Sequence, residues 1–276
     1  MQIKYFPVNS KNSYVVFENN DKIEELEPFM KENNLSRVIF SGFLGYSKSV
    51  LPFNEDIDLI EEITIQCSNI TDLTPLYHLS NIKKISIEEN VALAHLFDIR
   101  KIAQLTDFFT DDTLKIDGFF DHPTLKQLHI EPKKTKKLDI HNKNNILESL
   151  SIANSHILDL SDCKKFTNLK GLYIAYLPKI EDINFILGMP TLTDVEICSC
   201  KKIDNLIATL AQKNNLEKLT LWNQGNLDSI IPLSKLEHLT TLNIWEQTKI
   251  IDGKISFLEE MPNLKKIDIR KYTHYH

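Results

Sequence analysis

Apolar residues recur along this chain in a short fixed motif and not in long runs. The pattern L-x-x-L-x-L, with Ile, Val or Phe accepted at the apolar places, begins at Leu35, Ile60, Ile82, Leu105, Leu125, Leu147, Leu169, Leu192, Leu216, Leu239 and Leu264, in steps of 20 to 25 residues. Within the clearest units the fourth and sixth residues are apolar and alternate with polar ones, as Leu150 and Ile152 do with Ser149 and Ser151. A period of two marks a strand with one buried face. Strands this short are not stable alone. A register held over ten steps therefore predicts parallel strands that stack as repeats and share a core.

Between the strands, the triplets at 114–116, 138–140 and 158–160 read as extended returns, whereas 91–103, 203–210 and 255–261 have apolar spacings that suit helices. The weakest strand is the one beginning at Leu105, with Phe108 and Thr110 at its inward positions. Residues 1–34 do not fit the repeat. Segments 3–8 and 14–17 read as two strands joined by a turn at 9–12, followed by a helix with Asn20 or Asp21 as its cap. The chain is thus expected to have a capping hairpin and helix at 1–34 and a solenoid at 35–276. The tail after Arg270 offers no comparable cap, so the last strand awaits cover from the tail or from another subunit, giving a monomer or a dimer.

The stretch 60–87, IEEITIQCSNITDLTPLYHLSNIKKISI, joins a strand motif to a polar loop and an I-x-D-L-x-P-L-x-x-L return. It resembles the leucine-rich repeat family, and most of all the 22-residue repeats of bacterial internalins and of phosphatase-regulatory leucine-rich repeat proteins; the resemblance covers about 35–270. It implies an α/β leucine-rich repeat solenoid with about eleven parallel strands on a concave face and a mixed convex side of short helices and extended segments. It also implies that the concave face binds protein. The family usually places Asn or Cys at the ninth position, where a side-chain ladder satisfies the turn. Here that position holds Ser68, Asn90, Thr113, Lys133, Ser155, Leu177, Cys200, Gln224 and Gln247, of which only Asn90 and Cys200 fit. Cys200 accordingly reads as a ladder residue.

Composition narrows the function classes. Leu and Ile number 36 and 34, yet no run approaches the ~18 apolar residues of a membrane span. The start lacks a basic segment followed by an apolar one, so a cytoplasmic protein is expected. Four cysteines are too few for a disulfide scaffold and read as free thiols, and Cys198 and Cys200 lack a second pair at zinc-ligand spacing, so no metal is expected. A net charge of -6, with only Arg37, Arg100 and Arg270 as arginines, argues against nucleic acid. No nucleophile, phosphate-loop or zinc-hydrolase motif occurs, so neither catalysis nor a cofactor is expected.

Candidate chemistry gathers on the strand positions that face away from the core, the third, fifth and seventh. Both tryptophans, Trp222 and Trp245, fall at the seventh position of consecutive repeats. Tyr173 and Tyr176 approach them from one side, and Asp194, Glu196, Lys218, Asn243 and Glu246 form a polar surround. Aromatics with a polar rim suit the centre of a protein interface. The competing reading is that the indoles merely cover the strand ends. The expectation is a protein-binding module, in its specific form a cytosolic immunity or inhibitor protein for a bacterial toxin, with a basic toxin or enzyme as partner. The alternative is a regulatory or targeting subunit of a signalling enzyme such as a phosphatase. A surface adhesin is the third reading.

Overall fold

Wherever the chain is described, the alternating motifs fold as strands. The computed structural model describes residues 1–5, 13–89, 91–111, 113, 115–141, 146–270 and 272–276, and the chain divides into two compact units, Met1–Ile130 and Glu131–His276. The expected turn at 9–12, the end of the first strand, Asn90 and Leu114 lie outside the described residues.

In the first unit, β1 (Gln2–Tyr5) pairs antiparallel with β2 (Ser13–Val16). A 3-10 turn at Ile23–Glu25 leads into α1 (Leu26–Asn33). There follow β3 (Arg37–Ser41), β4 (Glu62–Gln66), β5 (Lys84–Ile87), β6 (Phe97–Asp98), β7 (Asp107–Thr110), β8 (Ile116–Asp117) and β9 (Gln127–Ile130). From β2 onward the pairing is parallel, in the order β2, β3, β4, β5, β7, β9. The unit therefore gains a parallel strand, β2, that the repeat motif does not announce. Behind it Phe17, Phe40, Tyr46 and Phe53 form a buried aromatic cluster, with Phe40 and Tyr46 edge to face at 4.9 Å.

Two local expectations fail here. Neither Asn20 nor Asp21 caps the helix, because Asp21 Oδ2 accepts from Glu18 N at 2.8 Å and its Oδ1 accepts from the N-terminal ammonium. Nor is 91–103 a helix. Its buried residues Val91 and Leu93, then Phe97 and Ile99, alternate by two, and Phe97 stacks on Tyr77 at 5.2 Å while β6 pairs in parallel with β8. A single 3-10 turn at Ile99–Lys101 follows, capped by Asp98. The weak strand motif at Leu105 holds: Phe108 of β7 sits between Ile85 and Leu128 in register.

The second unit contains β10 (Ser149–Ala153), β11 (Gly171–Ala175), β12 (Asp194–Cys198), α2 (Leu206–Leu210), β13 (Lys218–Trp222), β14 (Asn226–Leu227), β15 (Thr241–Trp245), β16 (Lys249–Ile250) and β17 (Lys266–Ile269). Its sheet runs β10, β11, β12, β13, β15, β17, all parallel and in the register of the motif, so that Leu150, Leu172, Val195, Leu219, Leu242 and Ile267 form one row. The opposite wall is mixed. The expected helix at 203–210 is α2, that at 255–261 is a 3-10 turn (Ser256–Glu260), and β14 pairs with β16. The main sheet of each unit has six parallel strands, twelve among the described residues, against about eleven expected. Among the described residues no helix is long and apolar enough to cross a membrane.

Register in each unit is held by a backbone ladder that asks nothing of the side chains. The second-position carbonyl of one repeat accepts from two successive N–H groups of the next: Lys170 O from Thr193 N and Asp194 N, then Glu217 O from Thr240 N and Thr241 N, at 2.8–3.1 Å. Both lone pairs of each such carbonyl are used. At the C-terminal end the tail does dock: Ile255 N and Ser256 N donate to His276 O, and Ile250 N donates to Tyr275 Oη. It covers the last turns and leaves Ile267 of β17 43% exposed.

Candidate functional site

The site lies on the face of the second unit's sheet that points away from the core. Residues of odd position share that face because successive side chains of a strand alternate. The fifth positions form the row Ser151, Tyr173, Glu196, Thr220, Asn243, Asp268, and the seventh positions the row Ala153, Ala175, Cys198, Trp222, Trp245. The expected neighbours Trp222 and Trp245 are thus in register. Their rings meet edge to face, 6.3 Å between centroids at 81°, a favoured geometry for aromatic pairs.

Beside the indoles the seventh-position row is small. Ala153, Ala175 and Cys198 are buried, and the partly buried rings of Tyr173 and Trp222 pack over them. Three small residues in a row leave room for two large ones to lean across. Part of each ring is used in packing, and part remains in water. That floor was visible in the sequence as a column of small residues beside two tryptophans. Burial pushes the Tyr173 hydroxyl up to about 12, with the Cys198 thiol and Glu196 adding to it.

Glu196, next to Tyr173 in register, is half-buried, and burial first and Asp194 second raise its pKa. Asn243 is 7% exposed; its Nδ2 donates to Thr220 Oγ1 at 3.0 Å, while its Oδ1 receives no hydrogen bond. Asp194 and Lys218 stand at the strand starts, four residues and so roughly 13 Å from the indole row. They form an exposed ion pair at 3.4 Å and belong to the rim. Tyr176 and Glu246 are exposed at the turn that follows the strands, at the other edge. Of the nine expected residues, the structure brings five together, Tyr173, Glu196, Trp222, Asn243 and Trp245, and places four around them. Asp268, opposite Asn243, joins the row without having been expected there.

Underneath, the turn is satisfied by a side-chain ladder. Cys200 Sγ donates to Cys198 O at 3.3 Å, as expected, and burial pushes its thiol up to about 12. Gln224, which departs from the family's Asn or Cys, does the same work: its Nε2 donates to Ile197 O and Trp222 O, both at 2.8 Å. In the next repeat Gln247 is exposed, and the buried Thr248 accepts from Gln224 N at 3.0 Å. All four cysteines are free and buried.

No family model matches the chain. Among solved structures, the leucine-rich repeat domain of the type III effector XopL aligns with a TM-score of 0.54 at 16% identity, over 79% of this chain and 77% of that one. InlF, an internalin from Listeria monocytogenes, aligns with a TM-score of 0.48 at 18% identity over 96% and 90% of the two chains. Internalin C2 of the same organism gives 0.44 at 22% identity over 62% and 78%. At 16% identity the likeness to the XopL domain is one of fold alone.

Proposed function

On the premise of a leucine-rich repeat fold, we propose that this chain is a non-enzymatic protein-binding module that captures its partner on the face carrying Trp222 and Trp245. One observation carries the reading: the only two tryptophans are paired in register on the solvent side of the sheet, partly exposed, beside Tyr173 and a half-buried carboxylate. Large rings of low side-chain entropy over a packed floor, ringed by polar groups, are the make-up of an interface centre. Residues 1–34 serve as the cap that shelters Phe40 and Tyr46 of the first repeats.

In its specific form, the module is a cytoplasmic inhibitor or immunity protein, and its partner is a basic toxin or enzyme. The net charge of -6 and the acidic groups around the strip favour fast association with such a protein. The test is comparative capture from native lysate by the full chain and by Trp222→Ala and Trp245→Ala. A protein retained by the wild type should be lost from both variants, each weakened by ~2 kcal/mol or more, while their denaturant midpoints stay close to wild type. Variants that retain the partner but unfold easily would make the strip structural.

A further inference from the structure

The core of the second unit ends open at β17. In the inward rows from Leu150 to Leu242 and from Ile152 to Ile244 every residue is buried, yet the last members differ: Ile267 is 43% exposed and Ile269 only half-buried. Leu264 is likewise half-buried where Leu239 is buried. The tail's hydrogen bonds go to residues 250–256 and leave this end of the sheet uncovered. The backbone ladder stops here too. Thr240 O accepts from Lys265 N and Lys266 N, but the equivalent carbonyl of the last repeat, that of Lys265, has no donor among the described residues. Because β17 meets β15 through Lys266 N and Arg270 N, the N–H and C=O groups of Ile267 and Ile269 turn the other way, where no described strand pairs with them. Such an edge is a template for another strand.

The charges of β17 say which strand fits. Its outward positions hold Lys266 and Asp268, with Ile267 between them. A lysine on an edge ordinarily keeps other strands away, but an aspartate two residues on gives it a counterpart in its own twin. Let two copies pair antiparallel about a two-fold axis at Ile267. Lys266 of each then stands opposite Asp268 of the other, in the closer, non-hydrogen-bonded positions, and Ile267 meets Ile267. In the same register Ile269 N reaches the empty carbonyl of Lys265. Centring the axis on Lys266 or on Asp268 would set like charges opposite each other, and centring it on Ile269 would set Lys266 against residues past the end of the strand.

We propose that the chain forms a two-fold dimer in which β17 joins β17 of a second copy in this register. Residues opposite each other in a pair share a face, so the joined sheet carries the tryptophan pairs of both copies on one side. Sedimentation equilibrium of the full chain should show a species of twice the chain's mass that dissociates on dilution. Lys266→Asp, which sets aspartates against aspartates, should weaken the dimer about tenfold or more, and adding Asp268→Lys, which restores opposite charges, should bring it back to within about threefold of wild type. Both positions are exposed, so the melting profiles of these variants should match wild type. Mild oxidation locates the seam, since the native cysteines are buried. Ile267→Cys should form a disulfide-linked dimer, the two Cα atoms being about 5.5 Å apart, far faster than Asp268→Cys or Ile269→Cys. Monomer mass at every concentration, a Lys266→Asp chain that dimerises like wild type, a double variant without rescue, or faster linkage at 268 or 269 would overturn the inference.

Discussion

The residue after each of β10, β11, β12, β13 and β15 is left-handed: Asn154, Tyr176, Ser199, Asn223 and Glu246 have φ between 47° and 54°. The shared geometry has a shared cause. Each N–H from Asn154 to Asn223 donates to the seventh-position carbonyl of the following repeat, as Tyr176 N does to Cys198 O at 2.9 Å. Asn suits this backbone because its short amide is tolerated there, while a tyrosine held in it is strained by ~1–2 kcal/mol. Tyr176 is nevertheless 50% exposed, so packing gives little in return. Strain retained at an exposed aromatic next to the strip fits a role in binding. Tyr176→Asn should raise stability by up to ~1 kcal/mol in urea melts and weaken partner capture. A variant that is less stable than wild type and still binds would assign Tyr176 to the fold.

At the scale of elements, strands were legible and returns were not. A strand declares itself through alternation, and the structure places Leu172, Leu219 and Leu242 inside, in one row with Val195 between the first two. Leu219→Ala should therefore cost ~2–5 kcal/mol, through lost burial and the cavity left behind; a denaturant loss below ~1 kcal/mol would contradict this packing. Returns carry only a few apolar residues, whose spacing fits helix and extended chain about equally. At 91–103 the tie was broken by stacking on Tyr77 and pairing with β8, contacts that come from distant positions in sequence. Strand β2 was legible as half of a hairpin with β1, but its second, parallel pairing with β3 comes from no motif of its own.

For the whole molecule the dominant long-range quantity is charge. On the proposed reading, a surplus of six acids, with Glu246 exposed beside the indoles, steers a basic partner toward the strip before contact is made. Glu246→Lys should slow association with the captured partner and leave dissociation nearly unchanged. The difference from wild type should shrink as salt rises beyond ~0.15 M, where the screening length falls below roughly 8 Å. Stopped-flow or surface-binding rates measure this directly. An effect of equal size at 0.5 M salt would mean that Glu246 makes a close contact instead of steering.

By itself, the sequence determined the repeat, the inward rows and the neighbourhood of the two tryptophans, because each follows from local alternation plus a constant step. A strand's buried face depends only on parity, and neighbours in a stacked array are one step apart. Tertiary structure alone decided that Tyr173 and Trp222 lean over Ala153, Ala175 and Cys198, that Gln224 serves as a ladder residue, and that among the described residues the Asn243 amide oxygen receives no hydrogen bond. Those facts depend on rotamers and on which donor reaches which acceptor across strands. No pattern along one chain encodes such choices, since each is settled by whatever side chain the next repeat happens to place about 5 Å away.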